Sequence, residues 1–210
     1  MIFAAFGGIR GEFFALEAIL AAVDAEGIQT LVNTGDCVVG GPMPNEVIEL
    51  LRSRRVPSVQ GQADRQVVRF RRTAGGAKHL PSGAKDDPIS RANRALTSTN
   101  LEFLRVLPRT IRLEIDEHSI VVCHGTLTSQ AVKLGRDTPD DVLRRQREID
   151  PADVIVCGGG DEAHTRMIDG TLFVNTGSVI PGKSQDRRAR YVVISTEERP
   201  FTAKFRAIEY

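Results

Sequence analysis

The sequence predicts an α/β protein, α+β in its second half, in which two mixed β-sheets pack together and are covered by helices. Three observations carry that expectation. Through residue 60, apolar runs alternate with helical patterns, the signature of βαβ units and a mainly parallel sheet. From residue 110 onward short apolar runs follow one another with hairpin turn signals between them. The chain has 210 residues, 41% of them hydrophobic, enough for one sizeable core and a single domain over 1–210.

The elements follow in order. An apolar strand is expected at 2–6 and a helix at 12–26, with Gly27 placed as its C-terminal cap. A strand at 28–33, a helix at 43–54 and a strand at 56–60 continue the alternation, and a helical stretch at 61–71 follows. Composition then shifts abruptly at "TAGGAKHLPSGAKDDP", and 73–88 reads as a surface loop or lid. Helical patterns at 90–97 and 101–107 come next, the second stopped by Pro108. Strands are expected at 110–115, 119–123, 153–157, 164–168, 171–175, 190–196 and 201–208, with one helical insert, "DDVLRRQREI". "DEH" after residue 115 and "DG" at Asp169 and Gly170 are hairpin signals. The sequence contains no internal repeat.

Charge and cysteine content narrow the function classes. A formal net charge of +1 gives no field that would favour nucleic acid or an anionic membrane as partner. No apolar run approaches the ~20 residues of a membrane helix, and the first residues lack a charged n-region, so a cytoplasmic protein is expected. Cys37, Cys123 and Cys157 are widely spaced without a CxxC pair, which suits buried reduced thiols. Arg65, Arg69 and Arg72 share a helical face, read as solvated, with an anionic ligand or a nucleic-acid backbone as the functional alternative; Lys78 and His79 lie in the loop beyond.

"GSVIPGKS", residues 177–184, satisfies the phosphate-loop pattern G-x-x-x-x-G-K-[ST]. That mechanism needs a long helix after the loop, and only "QDRRAR" separates it from the strand "YVVIST", so the match reads as a coincidence. More telling are polar residues just after apolar strands, where an open α/β sheet puts its ligand site. They are Asp36 in "LVNTGDCVVGGP", Gln62 and Asp64 in "VPSVQGQADR", His124 in "IVVCHGT", Asp161, Glu162 and His164 in "VIVCGGGDEAH", and Asn175 in "LFVNTGS". "FGGIRGE" occupies the equivalent place after the first strand.

In order and spacing these loops resemble the calcineurin-like metallophosphoesterases, in particular their small bacterial and archaeal phosphodiesterase-like members, over nearly the whole chain. The family motifs SDIHGN, GDxVxxGP, GNHD, His-Gly, GHTH and NPGSV read here as "GGIRGE", "GDCVVGGP", "GQAD", "HG", "GGGD" and "NTGSV". The resemblance implies a four-layer αββα sandwich and phosphoester hydrolysis by paired Mn, Fe or Zn ions. Carried over position by position, Asp36 and His124 match family ligands. Gly8, Arg10, Gln62 and Gly159 stand where the family has Asp, His, Asn and His, Ala63 stands at the catalytic His, and Asp161 replaces the last His. The cleft candidates are therefore Arg10, Asp36, Gln62, Asp64, His124 and Asp161, with Arg10, Arg65 and Asn175 as ligand-binding residues.

A guanidinium cannot ligate a metal, so Arg10 is expected to pair with the facing carboxylates Asp36 and Asp161 in a metal-free cleft without a cofactor. That cleft would take a small anionic or phosphate-containing ligand or a protein partner, with a homo-oligomer left open. The alternative is a metal-dependent phosphodiesterase or phosphatase with a single ion on Asp36, His124 and Asp161, helped by Glu12 or His164. Glu12 also suits the start of its helix, where negative charge is favoured. Restoring Gly8→Asp, Arg10→His, Gln62→Asn and Gly159→His together is expected to restore metal uptake.

Overall fold

The computed structural model describes residues 1–73, 87–181 and 188–210. The chain runs β1 (Ile2–Phe6), α1 (Phe13–Ala25), β2 (Leu31–Asn33), α2 (Pro44–Ser53), α3 (Gln62–Thr73), α4 (Pro88–Ala95) and α5 (Ser98–Val106). It continues with β3 (Thr110–Ile115), β4 (His118–Cys123), α6 (Asp140–Ile149), β5 (Val154–Cys157), β6 (His164–Ile168), β7 (Thr171–Asn175), β8 (Ala189–Ser195) and β9 (Thr202–Ile208). The strands form two sheets, in the orders β2-β1-β8-β9 and β3-β4-β5-β7-β6. Each mixes parallel pairs (β1–β2; β4–β5 and β5–β7) with antiparallel ones.

The period-two alternation of each strand explains the layering, because successive side chains feed different cores. Phe3 and Ala5 of β1 join Val122, Val156, Val174, Val192 and Ile194 between the sheets. Ala4 and Phe6 of the same strand face outward onto Leu16, Ile19, Ile48 and Leu51 of α1 and α2. On the second sheet, Val121, Ile155 and Phe173 face outward against Leu143 of α6. The result is the four-layer αββα sandwich. Central strands are thus buried on both faces, which is why they read as continuous apolar runs.

Local chemistry sets the element ends. Gly27, at φ 69°, closes α1: its N–H reaches Asp24 O and the Ile28 N–H reaches Val23 O, so 28–30 is helix exit and β2 is shorter than the expected 28–33. Asp116 and Glu117 at φ 47° and 65°, and Asp169 and Gly170 at 47° and 86°, make the two tight hairpin turns that "DEH" and "DG" signalled. Asp87 caps α4 through the Ser90 N–H, and Thr97 caps α5 through the Asn100 N–H.

The strand expected at 56–60 is absent; Ser58 makes a single parallel bridge to Asn33. Pro57 lends only its carbonyl, to the Asn33 N–H, and by Gln60 the chain has turned away to bond the Pro108 carbonyl. Of the loop expected at 73–88, residues 74–86, with Lys78 and His79, lie outside the described residues, as do the Arg72 side chain and residues 182–184 of the phosphate-loop match; Asp87 and Pro88 belong to the start of α4. No helix among the described residues is long and apolar enough to cross a membrane.

Candidate functional site

The loops after β1, β2, β4, β5 and β7 converge on one end of the sandwich. The first two are zipped together by backbone bonds: the N–H groups of Gly8, Arg10 and Gly11 reach the carbonyls of Gly35, Asp36 and Cys37 at 2.8, 3.1 and 2.7 Å. Thr34 closes the floor, its hydroxyl within 3.0 Å of the Thr176 hydroxyl and 3.3 Å of the Phe6 carbonyl. Arg10 and Asp36 both sit in the left-handed region, at φ 58°, so each side chain is aimed by a turn rather than by a regular element.

Two ion pairs organise the polar centre. Arg10 Nη2 lies 2.5 Å from Asp161 Oδ1, joining the first loop to the loop after β5 across 151 residues. His124 Nε2 lies 3.3 Å from Asp36 Oδ2, while its Nδ1 lies 2.6 Å from the Thr34 carbonyl. Both ring nitrogens of this buried histidine therefore face oxygens that accept. A carbonyl and a carboxylate on either side favour the doubly protonated imidazolium, which donates to both. Burial opposes that charge, yet the hydrogen bond and charge of Asp36, the Thr34 carbonyl and Asp64 outweigh it, and the His124 pKa is raised. Asp36 shifts reciprocally: burial pushes its carboxyl up, but His124, the Ala63 N–H at the start of α3 and the Arg10 charge hold it below the usual carboxylate range.

Arg10 was expected between both carboxylates. The geometry divides the work instead, with Arg10 on Asp161 and the imidazolium on Asp36. Asp64 is fully buried beneath them, its carboxylate accepting from the N–H groups of Asp36, Cys37 and Gly61 at 2.8, 2.8 and 3.0 Å. Burial and the nearby Asp36 charge push its pKa up to about 6 against the pull of those amides. It braces the turn that aims Asp36 rather than facing the cleft.

The remaining candidates separate. Asn175 is buried and spends its amide on the Leu134 and Gly158 carbonyls and the Gly177 N–H, so it shapes the last loop. Arg65 donates to Gln130 Oε1 at 3.2 Å, and Gln130 in turn bonds the Gln60 carbonyl at 2.6 Å. Gln62 opens α3, half-buried. Glu12 holds the N-cap position of α1 without a side-chain cap, and its carboxylate lies against Gly41 in a cavity shared with Pro42, Pro44 and Arg91. His164 is buried on β6, with Nδ1 3.3 Å from the Glu162 carbonyl. Among the described residues no group of three or more His, Cys, Asp and Glu is placed to hold a metal ion; of Asp36, His124, Asp161, Glu12 and His164, Asp36 and His124 meet, without a third of the set beside them.

The donor set does not fit a two-metal centre, and the Ser178 side chain occupies the space beside one of the lost positions. Gly8 sits at φ 64°, and a Cβ there would lie 2.4 Å from Ser178 Oγ and 3.0 Å from Ser178 Cβ. Gly159, at φ 77°, would place a Cβ 3.1 Å from the His124 carbonyl and 3.3 Å from its Nε2. The restoring substitutions Gly8→Asp and Gly159→His are therefore strained, which the sequence comparison gave no means of seeing. Ser178 is the site residue that sequence reading missed as a participant; its hydroxyl lies 2.9 and 2.8 Å from the Gly8 and Ile180 carbonyls and donates its one hydrogen between them. All three cysteines are free and buried, in line with their reading as reduced thiols.

This arrangement of loops on two packed mixed sheets defines a phosphoesterase scaffold. The model of the calcineurin-like phosphoesterase superfamily domain matches residues 9–199, and the chain belongs to that superfamily. It is 25% identical to the uncharacterized protein MJ0912 of Methanocaldococcus jannaschii, over 96% of this chain and 85% of that one. Among solved structures it is similar to the hypothetical protein PH1004 of Pyrococcus horikoshii OT3, with a TM-score of 0.81 and 20% identity, covering 100% of this chain and 88% of that one. A metallophosphoesterase from Sphaerobacter thermophilus gives a TM-score of 0.77 and 21% identity, covering 100% and 89%.

Proposed function

We propose that this chain uses the family cleft to bind a small anionic, phosphate-containing ligand with fixed protein cations in place of a two-metal centre, and that hydrolysis is absent or vestigial. The observation that carries the reading is the pair of ion pairs, Arg10 with Asp161 and His124 with Asp36, which put guanidinium and imidazolium charge at former ligand positions. Arg10 has five N–H donors and gives one to Asp161, so its fork keeps donors for phosphate oxygens. Three buried free thiols suit a reducing compartment, and we assign the protein to the cytoplasm on that ground.

One observation favours the second reading, a single-metal phosphodiesterase using Mn, Fe or Zn. Asp36 Oδ2 and His124 Nε2 converge, and the Thr34 carbonyl orients the ring as the outer partner of a metal-ligating histidine does.

Elemental analysis of the purified protein, with calorimetric titration of inorganic phosphate, separates the two. The metal-free reading expects well under about one ion per chain and phosphate binding that weakens about tenfold in Arg10→Ala. Stoichiometric metal, or Mn²⁺-dependent turnover of bis-p-nitrophenyl phosphate that Asp36→Asn with His124→Ala abolishes, overturns it.

A further inference from the structure

A cavity of about 420 Å³ opens between the loop that leads into α2 and one face of α4. Pro88, Arg91, Ala92 and Ala95 recur at helical spacing, so a single stripe of α4 forms one wall. Val38, Pro42 and Pro44, with two glycines between them, form the other. The walls are tied together. Asn45 Nδ2 donates to the Ala95 carbonyl at 2.7 Å, and its Oδ1 accepts from the Thr97 N–H at 2.9 Å. The Met43 N–H reaches the Gly11 carbonyl at 3.0 Å, which fixes the loop against the start of α1. The cavity is therefore preformed.

Two polar side chains line it, Glu12 and Arg91, and they carry opposite charges; every other lining residue is Gly, Ala, Val or Pro. Glu12 holds the N-cap position of α1, yet its carboxylate caps no N–H. It lies over Gly41 instead, where an added Cβ would sit 2.7 Å from Oε1. Among the described residues neither the Glu12 carboxylate nor the Arg91 guanidinium has a hydrogen-bond or ion-pair partner, and the two do not pair with each other. An apolar concavity with a few converging polar groups is the ordinary form of a small-molecule site. Here the converging groups are one anion and one cation.

We propose that this cavity binds a small zwitterion of the α-amino-acid class with an apolar side chain. The Glu12 carboxylate accepts from the ammonium, and the Arg91 fork matches the carboxylate in bidentate fashion. The proline rings, Val38 and Ala92 give the side chain an apolar wall. Pro42, Pro44 and Pro88 have no N–H, and the Gly41 N–H is spent on the Arg10 carbonyl, which leaves Arg91 as the donor for an anion. The volume lies at the small end of ligand cavities, which suits a free amino acid rather than a protein segment. None of Asp36, His124 and Asp161 lines the cavity, so its ligand does not depend on how the cleft is used.

Calorimetric titration of the full chain with leucine, methionine and phenylalanine tests it. The tightest of the three is compared with its two analogues, the acid that lacks the ammonium and the amine that lacks the carboxylate. The amino acid is expected to bind about tenfold or more tightly than either analogue. Glu12→Gln and Arg91→Gln are each expected to weaken its binding by about fivefold or more, with urea unfolding of each variant as the check that the fold is intact. Should a variant fail to fold, the analogue series on the natural chain still decides. No binding of any of the three amino acids at about 10 mM refutes the site. So does an analogue that binds as tightly as its parent, or binding that either substitution leaves unchanged in a folded variant.

Discussion

Gly8→Ala measures how strongly the first loop resists a side chain at the position where the family places an Asp. A non-glycine residue at φ 64° carries a left-handed penalty of about 1–2 kcal/mol. The new Cβ would meet Ser178 Oγ at 2.4 Å, well inside contact, and Ser178 Cβ at 3.0 Å. Rotating the hydroxyl away relieves the first clash but gives up its contacts with the Gly8 and Ile180 carbonyls, at about 1 kcal/mol for a buried hydrogen bond. The expected destabilisation is therefore about 2–3 kcal/mol. Urea unfolding of Gly8→Ala, Ser178→Gly and the double variant reads it as a cycle. Removing the Ser178 side chain is expected to recover about 1–2 kcal/mol of the loss, leaving the backbone penalty. A Gly8→Ala cost below about 1 kcal/mol, or strict additivity in the cycle, would refute the claim that Ser178 occupies the space beside the first motif's missing ligand.

Other expectations concern the buried polar centre. The folded His124 pKa is raised from 6.5 and that of Asp36 lowered from 3.8, so the stability from their pair is complete between those values. It is lost as pH rises through the folded His124 pKa above 6.5, and as pH falls through the folded Asp36 pKa below 3.8. The stability difference between the natural chain and His124→Gln, followed by urea unfolding across pH, should be greatest in that window; a difference that grows in alkali would contradict the imidazolium assignment. Asp64→Asn places an amide donor against N–H groups that now meet a carboxylate, and should cost about 2–4 kcal/mol in the same assay. Cost near zero would show that Asp64 does not brace the Asp36 turn. Burial pushes the Cys157 thiol up to about 12 and raises Cys37 and Cys123, so none of the three should react with a thiol reagent until the chain unfolds. Fast labelling of the native protein would place one of them at the surface.

The sandwich was legible in the sequence because its central strands are buried on both faces and its turns use residues with specific backbone demands. Gly27, the Asp169–Gly170 pair and the caps Asp87 and Thr97 each act through a few neighbours, so a linear reading reaches them. The segment 56–60 misled for the same reason: β-branched residues satisfy strand propensity, but Pro57 and the pull of the Pro108 carbonyl on Gln60 are non-local facts.

For the site, the sequence by itself determined the chemistry available at each strand end: arginine and glycine where Asp and His are expected, and Asp36 and His124 retained. Only the tertiary structure decided which charges meet. Arg10 and Asp161 are separated by 151 residues, and His124 reaches Thr34 across 90. The left-handed turn at Asp36, braced from below by Asp64, aims its carboxylate at the imidazole and leaves Asp161 to the guanidinium. Ser178 against Gly8 is likewise a contact between remote loops. Pairing of charges depends on distances of a few ångströms between chain-distant turns, and no one-dimensional pattern fixes those distances.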